Sequence, residues 1–247
     1  MTNPPLKSTY NEYFKSGFYQ KRYPSANSKV LKFIQRYLKV DSKDNAIHSF
    51  LDFGCGNGRY LVPLLQQSNW QAFAFDISDV AIAQLNEHVK MHGVAHRCHC
   101  LAAWPSECHY DIALLMYGVL GHIKTKIQRI ELLKQIRNGL NGPLILSVPN
   151  IKRRFIFKKQ ADIEYVRNNQ GSTLAFNYHL YDIQDLKSEL GMAGFEIETI
   201  LAESILPEKW VTNSKILSTL DKLLCVIIPA KFGYGLLVCA SKQNNGN

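Results

Sequence analysis

One carboxylate and three glycines alternate in Leu51-Asp52-Phe53-Gly54-Cys55-Gly56-Asn57-Gly58-Arg59-Tyr60-Leu61. Glycine carries no Cβ, so backbone here turns tightly and approaches a ligand closely. The apolar run Ile47 to Phe53 reads as a buried strand, and Leu61, Leu64 and Leu65 open a helical pattern. Strand, glycine turn and helix N-terminus form a ligand cradle. A dinucleotide frame, Gly-x-Gly-x-x-Gly, fails on spacing, since its third glycine falls on Arg59.

A second acid answers the first. Gln71-Ala72-Phe73-Ala74-Phe75-Asp76-Ile77-Ser78 is a short apolar run ending in Asp76, about twenty residues beyond the glycines. A carboxylate there accepts hydrogen bonds from both ribose hydroxyls, and Ile77 would lie against an adenine face. The pair of motifs indicates a nucleoside-type cofactor. Residues 88 to 109 hold His88, His92, His96, Cys98, His99, Cys100, Cys108 and His109, but no Cys-x-x-Cys. Cys98 and Cys100 share one strand face while His99 faces away, so strand and helix surface is preferred to a metal site.

The elements that hold these residues alternate. Residues 8 to 24 carry Tyr10, Tyr13, Phe14, Phe18, Tyr19 and Tyr23 among Lys15, Lys21 and Arg22, and read either as a lid or as a packed N-terminal helix. Ser25 or Asn27 caps a helix that turns Val30, Phe33, Ile34, Tyr37 and Leu38 to a sheet. Ser78 or Asp79 caps another with Ala81, Ile82, Leu85 and Val89, ended by Gly93. Strands are expected at Arg97–Leu101, Tyr110–Met116 and Leu144–Val148, with a helix through Ile127, Ile130, Leu133, Ile136 and Leu140 between the last two. Gly118-Val119-Leu120-Gly121-His122-Ile123 falls at the carboxyl end of the fourth strand, the edge where open α/β sheets bind substrate.

Residues 151–181 break the alternation. Lys152, Arg153, Arg154, Lys158 and Lys159 are interleaved with Phe155, Ile156 and Phe157, and two strands then flank a turn at Asn168–Ser172. This basic hairpin insertion reads as a nucleic-acid groove or as solvated surface. Asp182 caps a helix through Ile183, Leu186 and Leu190, and Phe195 to Leu201 forms a strand. A helical insertion at 203–230 contains Ser214–Ile228, whose Ile216, Leu217, Leu220, Leu223 and Leu224 are expected to pack on the core rather than lie on a membrane. Tyr234 to Ala240 closes the sheet.

At 247 residues and 46% hydrophobic, the chain suits one α/β domain with insertions. No apolar run reaches about 18 residues and Met1–Lys7 has no signal-peptide core, so no stable membrane insertion is expected. Six cysteines without a small-domain framework suggest free thiols in a reducing, cytoplasmic setting. A net charge of +9 favours an anionic partner, RNA or an acidic membrane surface. No obligate protein partner is evident.

Asp52-x-Gly54-x-Gly56-x-Gly58 resembles the first motif of class I S-adenosylmethionine-dependent methyltransferases. The resemblance runs over about 25–148 and 178–240. It implies a Rossmann-like seven-stranded sheet with helices on both faces, here with a basic insertion after strand five and a methyltransferase domain over 25–242. It implies S-adenosyl-L-methionine as cofactor, held by Asp52, Gly54, Gly56, Gly58, Asp76 and Ile77. Relatives place an acid after the third strand for the adenine amino group; here Cys100-Leu101-Ala102-Ala103-Trp104-Pro105 has none. Gly-Asn-Gly-Arg-Tyr-Leu, Gly118–Ile123 and Tyr178-His179-Leu180-Tyr181 are similar to the tRNA wobble-uridine carboxymethyl methyltransferases, which implies a tRNA nucleoside as acceptor. The same pieces fit a small-molecule or lipid methyltransferase. His122 and His179 are the candidate bases, Tyr178 and Tyr181 orienting donors, and Arg153 and Arg154 acceptor-binding cations.

Overall fold

The computed structural model describes residues 6–38, 47–103, 108–154, 160–169 and 172–243. Among them, seven strands form one sheet: β1 (Ser49–Phe53), β2 (Gln71–Phe75), β3 (Cys98–Cys100), β4 (Ile112–Leu115), β5 (Leu144–Pro149), β8 (Phe195–Ser204) and β9 (Gly235–Lys242). β6 (Asp162–Asn169) and β7 (Ser172–His179) make a separate antiparallel pair. The sheet order is β3-β2-β1-β4-β5-β9-β8. Neighbours from β3 to β5 are parallel, while β9 runs antiparallel between β5 and β8. Chain order reverses between β1 and β4, and their carboxyl ends splay there into a crevice.

Every residue of β4 and β5 is buried, as parallel strands covered on both faces must be. On one face Phe50 packs with Phe33 and Ile34 of α3 (Ser28–Gln35), Leu61 and Leu64 of α4 (Leu61–Gln66) and Leu85 of α5 (Asp79–Met91). On the other, Leu51 packs with Leu133 and Ile136 of α6 (Lys126–Gly139) and Leu186 of α7 (Ile183–Met192). Local chemistry starts these helices. Asn27 Oδ1 accepts from the Lys29 N–H at 3.0 Å, Ser78 Oγ from the Ala81 N–H at 3.1 Å, and Asp182 Oδ1 from the Gln184 N–H at 2.7 Å. Thr125 and Gln128 form a capping box on α6.

The N-terminal segment folds as α1 (Leu6–Lys15) and α2 (Phe18–Arg22), whose aromatic rings line one side of the crevice. Tyr10 and Tyr13 meet Phe176 of β7 edge-on at 5.4 and 5.3 Å, and the Ser78 hydroxyl donates to Asn11 Oδ1 at 2.8 Å.

Two expectations are corrected. Ile47 lies outside β1 and is 76% exposed. The helix through Ile127 forms as α6, with its inner stripe set by Arg129, Leu132, Leu133 and Ile136 and Ile127 facing solvent. Arg129 is held inside by Glu189 at 2.6 Å, and the Tyr181 hydroxyl donates to Glu189 at 2.9 Å. The largest departure is α9 (Lys215–Ile227), which follows α8 (Glu208–Asn213). Its one fully buried residue is Asp221, whose Oδ1 accepts from the Ile205 and Leu206 N–H groups at 2.8 Å each. Those two orphan donors past β8 draw the acid inward, so Ile216, Leu220 and Leu223 face solvent instead of the core.

Candidate active site

At the carboxyl ends of β1, β2 and β4 lies a cavity of about 230 Å³, floored by Phe53, Gly54, Gly56, Asp76 and Ile77 and roofed by aromatic rings of α1, α2 and β7. All three motif glycines have positive φ. Their surroundings differ. A Cβ on Gly58 would sit 2.5 Å from Leu85 Cδ1, so this glycine lets α5 close on the turn and lies off the cavity wall. A Cβ on Gly56 would come within 3.2 Å of the buried Phe14 ring, which also lines the cavity. His88 Nδ1–H donates to the Asn57 carbonyl at 2.9 Å and steadies the turn.

Asp76 is pinned at the rim. Its Oδ2 accepts from the Gly56 N–H at 2.9 Å and its Oδ1 from the Ser78 N–H at 2.8 Å. Burial raises its pKa against the opposing pull of these N–H groups. A carboxylate has further lone pairs, so both oxygens remain able to accept from a ligand. Asp52 sits just behind the cavity wall. It is buried, and no hydrogen bond to its carboxylate is found among the described residues. Burial first, and the Asp76 charge second, push its carboxyl up to about 7.

The opposite wall carries His122. Its Nδ1–H donates to the Asn177 carbonyl at 3.0 Å, which leaves Nε2 as the acceptor nitrogen. Burial first, opposed by that hydrogen bond, lowers its pKa to about 4, and the Arg154 charge adds to the fall. Tyr178 packs 4.5 Å from His122 and accepts a hydrogen bond at its hydroxyl from Arg154 at 3.1 Å. All three line the cavity.

His179 and Tyr181 do not line it. His179 Nδ1 lies 2.7 Å from Asp162 Oδ1, and its ring meets Tyr181 edge-on. Tyr181 is spent on the buried Glu189–Arg129 pair. Strand alternation explains this: Tyr178 faces the cavity, so His179 turns away. Arg153 donates to the Ile205 carbonyl at 3.3 Å and stacks over Tyr234 at 4.9 Å. Lys158, Lys159, Phe155, Ile156, Phe157, Trp104 and Pro105 lie outside the described residues. Among the described residues no group of three or more His, Cys, Asp or Glu is placed to hold a metal ion.

Tyr117, not singled out in the sequence, and Arg22, named there only among the cations of the N-terminal segment, stand at the centre. Tyr117, at φ 64°, follows β4 in a left-handed conformation that a non-glycine residue rarely adopts. Its N–H is held by Ser147 Oγ at 2.7 Å. Its ring meets Tyr23 and carries the Arg59 guanidinium at 4.9 Å. Arg22 lies beside it. Arg22, Tyr23, Tyr117 and Arg154 border both the first cavity and a second of about 540 Å³, which Lys21, Arg153 and Lys209 also line. A tyrosine directly after an apolar strand, at the binding edge, is a signal that sequence alone offers only weakly.

The model of a methyltransferase domain matches residues 19–200. No curated protein matches the chain. An S-adenosylmethionine-dependent methyltransferase from Clostridium acetobutylicum is similar in structure, with TM-score 0.65, 12% identity, and 95% of this chain and 99% of that one covered. The CcbJ methyltransferase from Streptomyces caelestis gives TM-score 0.67 and 12% identity over 96% and 98%. Magnesium protoporphyrin IX methyltransferase from Synechocystis, with S-adenosylmethionine bound, gives 0.59 and 16% over 98% and 100%.

Proposed function

The chain belongs to the methyltransferase-domain family, and we propose that it methylates a small molecule or lipid bearing an anionic group. It is an enzyme of the S-adenosylmethionine-dependent class, and its residues fit that cofactor. Gly56 leaves the cavity floor open where a Cβ would intrude, and Asp52 is a buried carboxylate without a hydrogen bond among the described residues. In this reading Asp52 supplies charge for the ammonium, Asp76 accepts from the ribose hydroxyls, and Ile77 lies on the adenine. When bound, the cofactor supplies a methyl group already activated on sulfonium.

The rest is alignment, which contributes roughly 7–11 kcal/mol when the reacting atoms are well oriented. Neutral His122 accepts the proton of a hydroxyl or amine at Nε2, and Tyr178, set by Arg154, orients the acceptor. The observation that carries the acceptor class is the second cavity. Lys21, Arg22, Arg153, Arg154 and Lys209 line it, and no acid does among the described residues. It meets the cofactor cavity at Arg22, Tyr23, Tyr117 and Arg154. Arg153 and Arg154 are anchored by Ile205 and Tyr178 rather than spread over an open surface, which favours a compact anion over a nucleic-acid backbone.

Incubation with cofactor labelled in its methyl group and a cell extract split into RNA, protein, lipid and small-molecule pools tests this. Label in the lipid or small-molecule pool is expected. Label confined to tRNA would overturn the reading and restore the wobble-nucleoside alternative.

A further inference from the structure

Helix α9 presents its apolar side to solvent. Ile216 and Val226 are more than four-fifths exposed, and Leu220, Leu223 and Ile227 are exposed beside them. At 100° per residue, Ile216, Leu220, Leu223 and Ile227 fall within one narrow stripe. The opposite side carries Asp221, with Ser218 and Cys225 next to it, and Asp221 is anchored to the backbone past β8. The inversion is therefore built in: rotating the helix to bury the leucines would strand the Ile205 and Leu206 N–H groups. Trp210 of α8 and Phe232, which follows α9, add exposed aromatic rings.

We propose that α8 and α9 form a docking face for an anionic lipid bilayer. Charge decides the occupant. Exposed Lys209, Lys215 and Lys231, with half-buried Lys222, accompany the stripe, while the one acid of α9 points inward. A second copy of the chain docked on this face would bring like-charged lysines together on two molecules of charge +9. An anionic headgroup layer neutralises those lysines and takes the apolar side chains just below it. At 1.5 Å per residue α9 is about 20 Å long, so it lies in the interface and does not cross. Lys209 belongs both to this face and to the basic cavity, which places that cavity beside the membrane surface. The inference stands apart from the acceptor reading, since it rests on the outer side of α9 and not on the cleft.

The test is flotation of the full chain with vesicles of phosphatidylglycerol and phosphatidylcholine, and with phosphatidylcholine alone. Binding to the anionic vesicles, weakened by salt and much lower on the neutral ones, is expected. Leu223→Glu with Ile227→Glu should weaken it at least about tenfold, or 1.4 kcal/mol. Lys215→Glu with Lys222→Glu should remove the preference for anionic lipid. Circular dichroism and S-adenosylhomocysteine binding should be unchanged in both, because the altered side chains lie away from the core and the cleft. A parent chain that stays unbound on anionic vesicles overturns the proposal. So does equal binding by folded Leu223→Glu/Ile227→Glu. Self-association lost in that variant, with no vesicle binding by the parent, would assign the face to a dimer instead.

Discussion

Asp52 on β1 and Asp76, just past the end of neighbouring β2, stand at the sheet's carboxyl edge, and the Asp76 charge adds to burial in lifting the Asp52 carboxyl to about 7. A cationic group between them would reverse that shift, because an opposite charge favours the ionised form.

The sign of the effect can be followed through folding and binding. Without cofactor, folded Asp52 keeps a proton that the unfolded chain releases from about pH 4 upward, so it costs stability increasingly as pH rises to about 7. Asp52→Asn should make the cofactor-free protein more heat-stable at pH 8, by at most about 4 kcal/mol at 1.36 per unit. Calorimetry should show S-adenosylhomocysteine binding the parent more tightly as pH rises through 7. The variant should bind weakly with that dependence gone. Equal, pH-independent affinities in both would remove Asp52 from the cofactor site.

Two glycine replacements separate packing from binding. Gly58→Ala drives a methyl group into Leu85 and should lower stability by well over the roughly 1–3 kcal/mol of a left-handed non-glycine residue. Gly56→Val, also at a left-handed position, carries that same strain and presses on the Phe14 ring, so it should lose cofactor affinity with a smaller loss of stability than Gly58→Ala. Thermal denaturation with calorimetry reads both. Full cofactor binding by folded Gly56→Val would move the ligand elsewhere.

His122, lowered to about 4, is neutral throughout pH 6–8, so kcat should show no inflection from it there. His122→Gln should reduce kcat, by less than the roughly 100-fold of a base matched to the working pH because its pKa is low, with cofactor affinity unchanged. An unaltered kcat would make the ring a wall and point to a carboxylate acceptor, which needs no base.

Arg129, Glu189 and Tyr181 should matter to folding alone. Glu189→Gln leaves the Arg129 charge without its partner inside the protein and should cost about 3–5 kcal/mol. Tyr181→Phe should cost about 1–3 kcal/mol. Denaturant titration measures both, and a Tyr181→Phe enzyme with a raised acceptor KM would return Tyr181 to the site.

Arg154→Ala removes a cation common to both cavities and should raise the acceptor KM more than tenfold while the cofactor Kd stays put. The tRNA alternative predicts instead that Arg153→Ala with Arg154→Ala lowers tRNA affinity and flattens its slope against log salt by roughly two contacts' worth. Filter binding over a salt series distinguishes the two.

Local patterns were enough for most elements and for the glycine turn with Asp76 beside it. Alternating glycines after an apolar run, a second acid about twenty residues on, and Asn27, Ser78 and Asp182 as helix caps are short-range signals, because the groups that satisfy one another lie within a few residues or one βαβ unit. What the sequence could not decide was which way side chains turn when distant backbone needs a partner. Asp221 answers the Ile205 and Leu206 N–H groups and so inverts α9; Glu189 draws Arg129 and Tyr181 inward, off the wall of the first cavity. The packing of α1 and α2 on β7, which brings Arg22 and Tyr117 together over the crevice, likewise joins residues far apart in the chain. Burial and hydrogen-bond satisfaction are properties of the assembled tertiary structure, so only there are the apolar face of α9 and the walls of the two cavities determined.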